Sequence, residues 1–315
     1  ALDSPGFTMR RCDFRYLGHT GAEVVAGDRP TLTSGRAVVE DCEIGNVGLL
    51  CGTYAPCVEL RGVGGHVAHN YFHDGPTSAI RMSGNDHLVE YNLVERMVKR
   101  SNDQGAVDIY GDPSFRGIVF RFNIFRNIGR DDGFAGAEML GDTPKNAGIR
   151  FDDAISGLVV YGNRFINSSR GAFGSIGMNG GHRNLIDGNV VIGGEYGLNN
   201  GTWDYDHWCK FLKSKGGSAG MGSNLFGDVD MNGSLYRGRY PDISRLGVKG
   251  EENRNFAFRN AFVGVDCRVK DGGGFLVQHL NADFATVEEY ERGVREGPFA
   301  GVFPALPPES EIGIR

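Results

Sequence analysis

One short pattern recurs along most of the chain and constrains the fold more than any other feature. An apolar stretch is followed by Asn or Cys, then a variable residue, then an apolar residue. Successive copies lie 22 to 40 residues apart, with one final gap of 71 residues. A period of this size, with short alternating strands between glycine-rich corners and no 3.6-residue periodicity, predicts the coils of an all-β, right-handed parallel β-helix. The repeated position is occupied by Cys12, Cys42, Asn70, Asn92, Asn123, Asn163, Asn189 and Asn260.

The repeated Asn predicts a ladder inside the solenoid. Stacked on successive coils about 4.8 Å apart, each side-chain amide would bond to backbone groups at its turn and to the next Asn. Such a ladder satisfies polar groups that a buried turn would otherwise leave unpaired. We therefore expect these asparagines to be scaffold residues, with Cys12 and Cys42 filling the same slot at the N-terminal end.

The sequence predicts one solenoid domain over residues 1–315, with two irregular segments. The gap between Asn189 and Asn260 predicts a long loop insertion near residues 195–255, or extra degenerate coils in the same stretch. Residues 282–315 are expected to cap the C-terminal end of the solenoid, because an open sheet edge must be covered. Thr286 and Glu289 form a capping box for a short helix in that segment.

Composition excludes several classes of protein. With 33 basic and 39 acidic residues the net charge is −6, which argues against a nucleic-acid partner. No apolar run is long enough to cross a bilayer. The six cysteines and the scattered histidines follow no metal-site spacing, so we expect no metal and no cofactor. The cysteines are expected to be buried free thiols, or to form a disulfide or two in an exported protein.

Counting back from the ladder predicts an exposed column of charges. Glu59, Arg81, Asp112 and Asp152 each lie 11 residues before a ladder Asn, which would place them on four neighbouring coils. Two carboxylates about 5–5.5 Å apart suit a retaining glycosidase, and the mutual repulsion raises the pKa of one of them. A solvated charged face is the structural alternative.

Other side chains are candidates for the same face. By strand alternation Asp108, Tyr110 and Arg150 point outward, whereas Asp153 is expected to point inward or into a turn and to brace its neighbour. His182 and Arg183 are candidates for binding substrate hydroxyls or for a turn role. Trp203 is a candidate for stacking on a sugar ring or for packing the loop.

Three segments resemble the core of carbohydrate-active parallel β-helix proteins of the pectate-lyase-like superfamily, most closely glycoside hydrolase family 141. They are residues 105–113, 116–119 and 148–157, and the likeness extends over roughly residues 60–265. The resemblance implies α-fucosidase or xylanase-like chemistry and a catalytic pair of aspartates on adjacent coils. Here that pair would be Asp112 with Asp152 or Asp153.

The leading hypothesis is therefore a secreted or periplasmic bacterial glycoside hydrolase that cleaves a polysaccharide or oligosaccharide in a groove of the β-helix. One alternative is a polysaccharide lyase or epimerase acting on uronates, with Lys99, Arg100 or Arg81 as base and with calcium as a cofactor. The other is a non-catalytic extracellular structural or glycan-binding protein, because a fold alone does not decide function.

Overall fold

The structure is a computed structural model that describes residues 2–3, 5–129, 144–213 and 229–315. Within these residues the chain forms three parallel sheets of nine strands each. Consecutive strands enter sheets 1, 2 and 3 in turn, so each coil adds one strand to every sheet. This topology is consistent with a parallel β-helix solenoid, as the repeat predicts.

The longest strands belong to sheet 1, whereas the strands of sheets 2 and 3 are all short. Sheet 1 contains β1 (Leu2–Asp3), β4 (Ala22–Ala26), β7 (Val58–Val63), β10 (Ile80–Asn85), β13 (Gln104–Tyr110), β16 (Asn146–Asp152), β19 (Ile176–Asn179), β22 (Tyr196–Gly201) and β25 (Cys267–Asp271). Sheet 2 contains β2 (Thr8–Arg10), β5 (Val38–Glu40), β8 (His66–Ala68), β11 (Leu88–Glu90), β14 (Val119–Arg121), β17 (Val159–Tyr161), β20 (Leu185–Asp187), β23 (Phe256–Phe258) and β26 (Val277–His279). Sheet 3 contains β3 (Asp13–Arg15), β6 (Glu43–Gly45), β9 (Tyr71–His73), β12 (Leu93–Glu95), β15 (Ile124–Arg126), β18 (Arg164–Ile166), β21 (Val190–Ile192), β24 (Ala261–Val263) and β27 (Ala282–Phe284).

The core lies between the three sheets and consists of the alternate, inward-facing side chains of each strand. Ile109 and Phe151 are almost completely buried neighbours in sheet 1, as strand alternation predicts. In sheet 3 the rings of Phe125 and Phe165 stack with centroids 4.9 Å apart. Each coil therefore buries its apolar residues against the coils before and after it.

The turn between sheets 2 and 3 carries the ladder. Its first residue adopts a left-handed conformation, as in Tyr91 (φ 53°), and its second is the repeated Asn or Cys. The Asn123 amide donates to Val89 O and to Asn163 Oδ1, both at 2.9 Å, and its Oδ1 accepts from the Asn92 amide N at 3.0 Å. The same bonds connect Asn70 through Asn260 and continue to Asn281, one position beyond the predicted repeat.

The N-terminal end of the ladder contains the predicted cysteines. The Cys42 backbone N donates to Asn70 Oδ1 at 3.0 Å, and the Cys12 backbone N donates to the Cys42 sulfur at 3.4 Å. All six cysteines are free thiols, but only Cys42 and Cys57 are buried. The prediction of buried thiols is therefore confirmed for these two positions and wrong for exposed Cys51.

The predicted insertion is shorter than residues 195–255. Tyr196–Gly201 is a strand of sheet 1, so the insertion spans 202–255, of which residues 214–228 lie outside the described residues. Leu185 of β20 pairs directly with Phe256 of β23, so the 71-residue gap is one coil with a loop and not a set of degenerate coils. The described part contains α1 (Tyr205–Lys213), α2 (Ser234–Arg239) and a 3-10 turn, Pro241–Arg245.

The C-terminal segment packs on the outer face of sheet 3, where Tyr290 and Phe299 join the buried Val263 and Phe284. Helix α3 (Val287–Glu296) begins where the capping box predicts, since Thr286 Oγ1 accepts from the Glu289 backbone N at 3.2 Å. Its Tyr290 packs against Phe284, but β27 itself belongs to sheet 3. The remaining residues turn back along the side of the coils, where the Gly313 N donates to Tyr91 O at 2.8 Å. The last 3-10 turn is Glu309–Glu311.

Candidate active site

A cavity of about 590 Å³ opens on the outer face of sheet 1. It crosses the coils that contain β10, β13, β16, β19 and β22. Its volume lies in the range of small-molecule sites in proteins. The lining residues are Tyr54, Arg81, Asp103, Asp108, Tyr110, Arg150, Phe151, Asp152, Asp153, Phe173, Gly177, Met178, Asn179 and Asn199.

Strand register brings two outward columns to this cavity. Asp108 lies directly between Arg81 on one side and Arg150 on the other, and Tyr110 lies next to Asp152. Side chains that alternate with the buried Val107, Ile109 and Phe151 must point away from the core. The parallel pairing of the strands thus places oppositely charged residues on adjacent strands about 4.8 Å apart.

Arg150 is the electrostatic centre of the cavity. Its guanidinium contacts three carboxylates, those of Asp152 at 2.6 Å, Asp103 at 3.1 Å and Asp108 at 3.7 Å. It also lies over the ring of Phe173, 5.0 Å from the centroid. These contacts hold a mostly buried cation in one orientation, so Arg150 organises the acidic groups around it.

Arg81 occupies the next position along the column. Its Nε lies 3.8 Å from Asp108 Oδ2, and its guanidinium lies 4.5 Å from the centre of the Tyr54 ring. Tyr54 belongs to the turn between β6 and β7 and is 51% exposed. The cavity therefore has an aromatic ring beside each arginine, Tyr54 at one side and Phe173 at the other.

Asp152 and Asp153 form a pair held by one amide. Asn179 Nδ2 donates to Asp152 Oδ1 at 3.1 Å and to Asp153 Oδ1 at 3.0 Å. Since both oxygens contact the same nitrogen, they lie within about 6 Å of each other. Asp153 follows the last residue of β16 in a left-handed conformation (φ 43°), which breaks the strand alternation and turns its side chain outward beside Asp152. Of the two expected positions for Asp153, inward or in a turn, the structure has the turn.

The environment of the cavity keeps two carboxyl groups readily protonated. Burial, followed by the neighbouring Asp152 carboxylate, raises the pKa of Asp153 to about 6, against the opposing effects of Arg150, the Tyr110 hydroxyl and His207. Burial also raises the pKa of Asp108 to about 6, although Arg150 and Arg81 oppose it. Such acids exchange protons near neutral pH, as general acid and base catalysis requires.

The structure brings together six of the predicted site residues. They are Arg81, Asp108, Tyr110, Arg150, Asp152 and Asp153. Glu59 lies in the same column, since it pairs with Arg81 in the register, but it bonds to Arg61 at 3.0 Å and does not line the cavity.

The prediction that Asp112 shares a column with Asp152 is wrong. The residue opposite Asp152 is Tyr110, and Asp112 lies in the turn after β13. It is 2% exposed, accepts from the Ser114 backbone N at 2.8 Å, and faces Arg29 at 3.9 Å. The turn after β13 spans residues 111–118, whereas the turn after β16 spans 153–158, so equal offsets from the ladder do not give equal positions.

His182 and Arg183 lie outside the cavity, in the contact with the insertion. His182 is completely buried, with Nε2 3.0 Å from an Arg116 nitrogen and Nδ1 3.2 Å from Glu251 O. Burial, followed by the positive charge of Arg116, lowers the pKa of His182 to about 3. Arg183 pairs with the Glu251 carboxylate at 2.5 Å. Both residues therefore hold the insertion against the coils, and the turn role is the one their contacts support.

Trp203 lies behind the cavity rather than in it. A side chain at Gly180 would collide with its ring, and His207 stacks on it with centroids 4.3 Å apart. These contacts favour packing of the insertion, the alternative to sugar stacking. Its Nε1 donates to Asn179 Oδ1 at 3.1 Å.

Sequence reasoning missed Tyr54, Asp103, Phe173, Asn179 and Asn199 among the lining residues. The sequence could in principle have predicted Asn179, because this residue lies at the end of β19, one coil after Asp152. Tyr54, Asp103 and Phe173 lie in turns of irregular length before strands of sheet 1, where the ladder gives no register. Lys99, proposed as a lyase base, contacts Asp74 at 3.3 Å, and neither it nor Arg100 lines the cavity.

Among the described residues no three His, Cys, Asp or Glu side chains are grouped so as to hold a metal ion. Within the same residues no helix is long and apolar enough to cross a membrane. Comparisons with family models, curated proteins and solved structures found no match for this chain.

Proposed function

We propose that the protein is an extracytoplasmic glycoside hydrolase on a right-handed parallel β-helix, and that it cleaves a polysaccharide or oligosaccharide in the sheet 1 cavity. The observation that carries the proposal is the Asp152–Asp153 pair. The Oδ1 atoms of the two carboxylates lie within about 6 Å of each other, which is compatible with the roughly 5–5.5 Å separation of the carboxyl groups in retaining enzymes.

The environments of the two carboxylates suggest their roles. Asp153, with its pKa raised to about 6, donates a proton to the glycosidic oxygen. Asp152, paired with Arg150 at 2.6 Å, attacks the anomeric carbon as the bond to the leaving group breaks. Asp153 then takes a proton from water, which attacks the same carbon, releases the sugar and restores the Asp152 carboxylate. Asp108 has a buried Oδ1 and supports Arg81 and Arg150 instead of reacting.

The balance of charge supports a hydrolase over a uronate lyase or epimerase. Four aspartates and two arginines line the cavity, and Arg150 is already engaged by three of the aspartates. A uronate would need cationic groups free to neutralise its own carboxylate. A neutral glycan has no such requirement, and its hydroxyls can bond to the carboxylates and to Asn199.

A glycan panel digested at several pH values tests the proposal. We expect hydrolysis with retention at the anomeric carbon, observed by proton NMR in the first minutes of the reaction. The rate should fall as the pH rises through about 6, because Asp153 must be protonated to act as the acid. An unsaturated product would instead establish a lyase. Binding of a glycan without any cleavage would establish a non-catalytic binding protein.

A further inference from the structure

We propose that Trp203 and Asn179 are positioning residues, through which the insertion fixes the orientation of the Asp152–Asp153 pair. The catalytic consequence rests on the proposed hydrolase function, but the geometry does not. Five groups are connected: Asn253 bonds to Trp203, Trp203 bonds to Asn179, and Asn179 bonds to the carboxylates of Asp152 and Asp153.

The Asn179 amide has only one chemically acceptable orientation. Its Oδ1 accepts from the Trp203 indole N–H at 3.1 Å, while its Nδ2 donates to Asp152 and Asp153. With the amide reversed, its oxygen would face two carboxylate oxygens and its NH₂ would face the indole N–H. Both contacts would then be repulsive. The indole N–H is therefore the group that selects the donor orientation toward the acids.

Trp203 is partly buried and is held by three neighbours, Gly180, His207 and Asn253. Its ring packs against the Gly180 backbone and stacks on the His207 ring. The buried Asn253 side chain bonds to both backbone groups of Trp203, accepting from its N at 2.9 Å and donating to its O at 2.7 Å. Trp203 and Asn253 lie at opposite ends of the 202–255 insertion. The hydrogen bonds between these two ends therefore complete the support of the Asp152–Asp153 pair. A support fixed in this way loses little entropy when the substrate binds.

The chain offers a matched control. It contains two tryptophans, and the second, Trp208, is completely buried with an indole N–H that has no hydrogen-bond partner among the described residues. Trp203→Phe and Trp208→Phe remove the same atoms from neighbouring rings of the insertion. Only the first of them removes the donor to Asn179.

The first measurement needs no substrate. The pKa of Asp153 is followed by carboxyl-carbon NMR in the wild type and both variants, with Asp153→Asn used to assign the signal. The titratable or charged groups facing Asp153 are Asp152, Arg150, Tyr110 and His207, and neither substitution replaces any of them. Because His207 stacks on Trp203, its ring signals are followed in the same spectra to show whether the ring has moved. We expect Trp203→Phe to raise the pKa of Asp153, because an unfixed Asn179 stabilises the ionised form less. Trp208→Phe should leave it at the wild-type value.

The second measurement is kinetic. We expect Trp203→Phe to lower kcat about 10- to 100-fold with little change in KM, since misplaced catalytic groups lose rate rather than binding. Asn179→Ala should have a similar effect, and the double variant should be no slower than Asn179→Ala alone, because the two residues act in series. Trp208→Phe should turn over like the wild type.

An unchanged Asp153 titration in a folded Trp203→Phe variant would overturn the proposal, as would effects of Trp203→Phe and Asn179→Ala that multiply. If Trp203→Phe does not fold, the sulfur analogue of tryptophan, incorporated at position 203 in a Trp208→Phe background, removes the N–H while keeping the shape. If no glycan is cleaved by the wild type, the hydrolase function fails, and the titration still decides whether the support exists.

Discussion

The molecule has two kinds of turn, which differ in whether their length stays the same from coil to coil. The turn between sheets 2 and 3 keeps one form in every described coil, as in residues 91–92 and 122–123, and ends in the ladder position. The turn between sheets 1 and 2 spans residues 86–87 in one coil, 111–118 in another, and 202–255 in a third. The turns between sheets 2 and 3 hold the coils together. The turns between sheets 1 and 2 position Asp153, and the longest of them, residues 202–255, contains Trp203.

The physical difference lies in what each turn buries. Asn123 is completely buried, and a ladder amide satisfies its partners only when the next coil presents its own amide at the same height. Any change in length would leave buried donors and acceptors unpaired. The turns after sheet 1 face outward or contact the insertion, so residues can be added there without breaking the stack.

The largest expected effect is a difference in turnover between substitutions of two aspartates, Asp153 and Asp112, that both lie in turns after sheet 1. Asp153→Asn removes the proposed acid and should reduce turnover by roughly 10²- to 10⁴-fold while the fold is kept. Asp112→Asn should leave turnover at the wild-type level, because Asp112 is buried beside Arg29 and does not line the cavity. Steady-state kinetics and melting curves of both variants make the comparison. Full activity in Asp153→Asn with loss in Asp112→Asn would show that the column counted from the ladder is the functional one.

The next effect concerns the constant turn. Asn123→Ala orphans the Asn92 amide N on one side and the carbonyl of Val89 on the other. We expect it to lower the free energy of unfolding by about 1–3 kcal/mol, the usual cost of unpaired buried polar groups. Asn281→Ala, at the partly exposed end of the ladder, should cost less. Chemical denaturation measures both, and equal melting of Asn123→Ala and the wild type would show that the ladder does not stabilise the stack.

The same contrast explains how far the sequence could predict this structure. The repeat places the ladder and the buried faces correctly, because Asn and alternating apolar residues are required by the packing of each coil. It also places Asp108, Tyr110, Arg150 and Asp152 on the outer face. It fails at Asp112, because the length of a turn after sheet 1 is not constrained by packing. It leaves the direction of the Asp153 side chain open between the core and a turn, because a left-handed residue ends the alternation there.

Asn179 and Trp203 show a further limit. Their contact joins a strand of sheet 1 to an insertion whose path the repeat does not determine. Trp203 is a candidate for sugar stacking because of its chemistry alone. Whether a ring has a free face depends on neighbours such as Gly180 and His207, which only the folded insertion brings to Trp203.

The smallest expected effect tests the electrostatics beneath the cavity. Asp108 is 4% exposed, and burial raises its pKa from 3.8 to about 6, so its ionised form is less favourable in the folded state than in the unfolded state. For an acid shifted upward, stability is greatest at low pH and is lost as the pH rises from about 4 through about 6. Asp108→Asn cannot ionise, so the variant should match the wild type near pH 4. It should exceed the wild type by about 1–2 kcal/mol above pH 7, since the raised pKa is the net result of burial against the attraction of Arg81 and Arg150. Urea unfolding of both proteins across this pH range measures the difference. A variant that is less stable than the wild type at high pH would show that pairing with the two arginines outweighs the burial of the charge. In that case Asp108 stabilises the cavity in its ionised form.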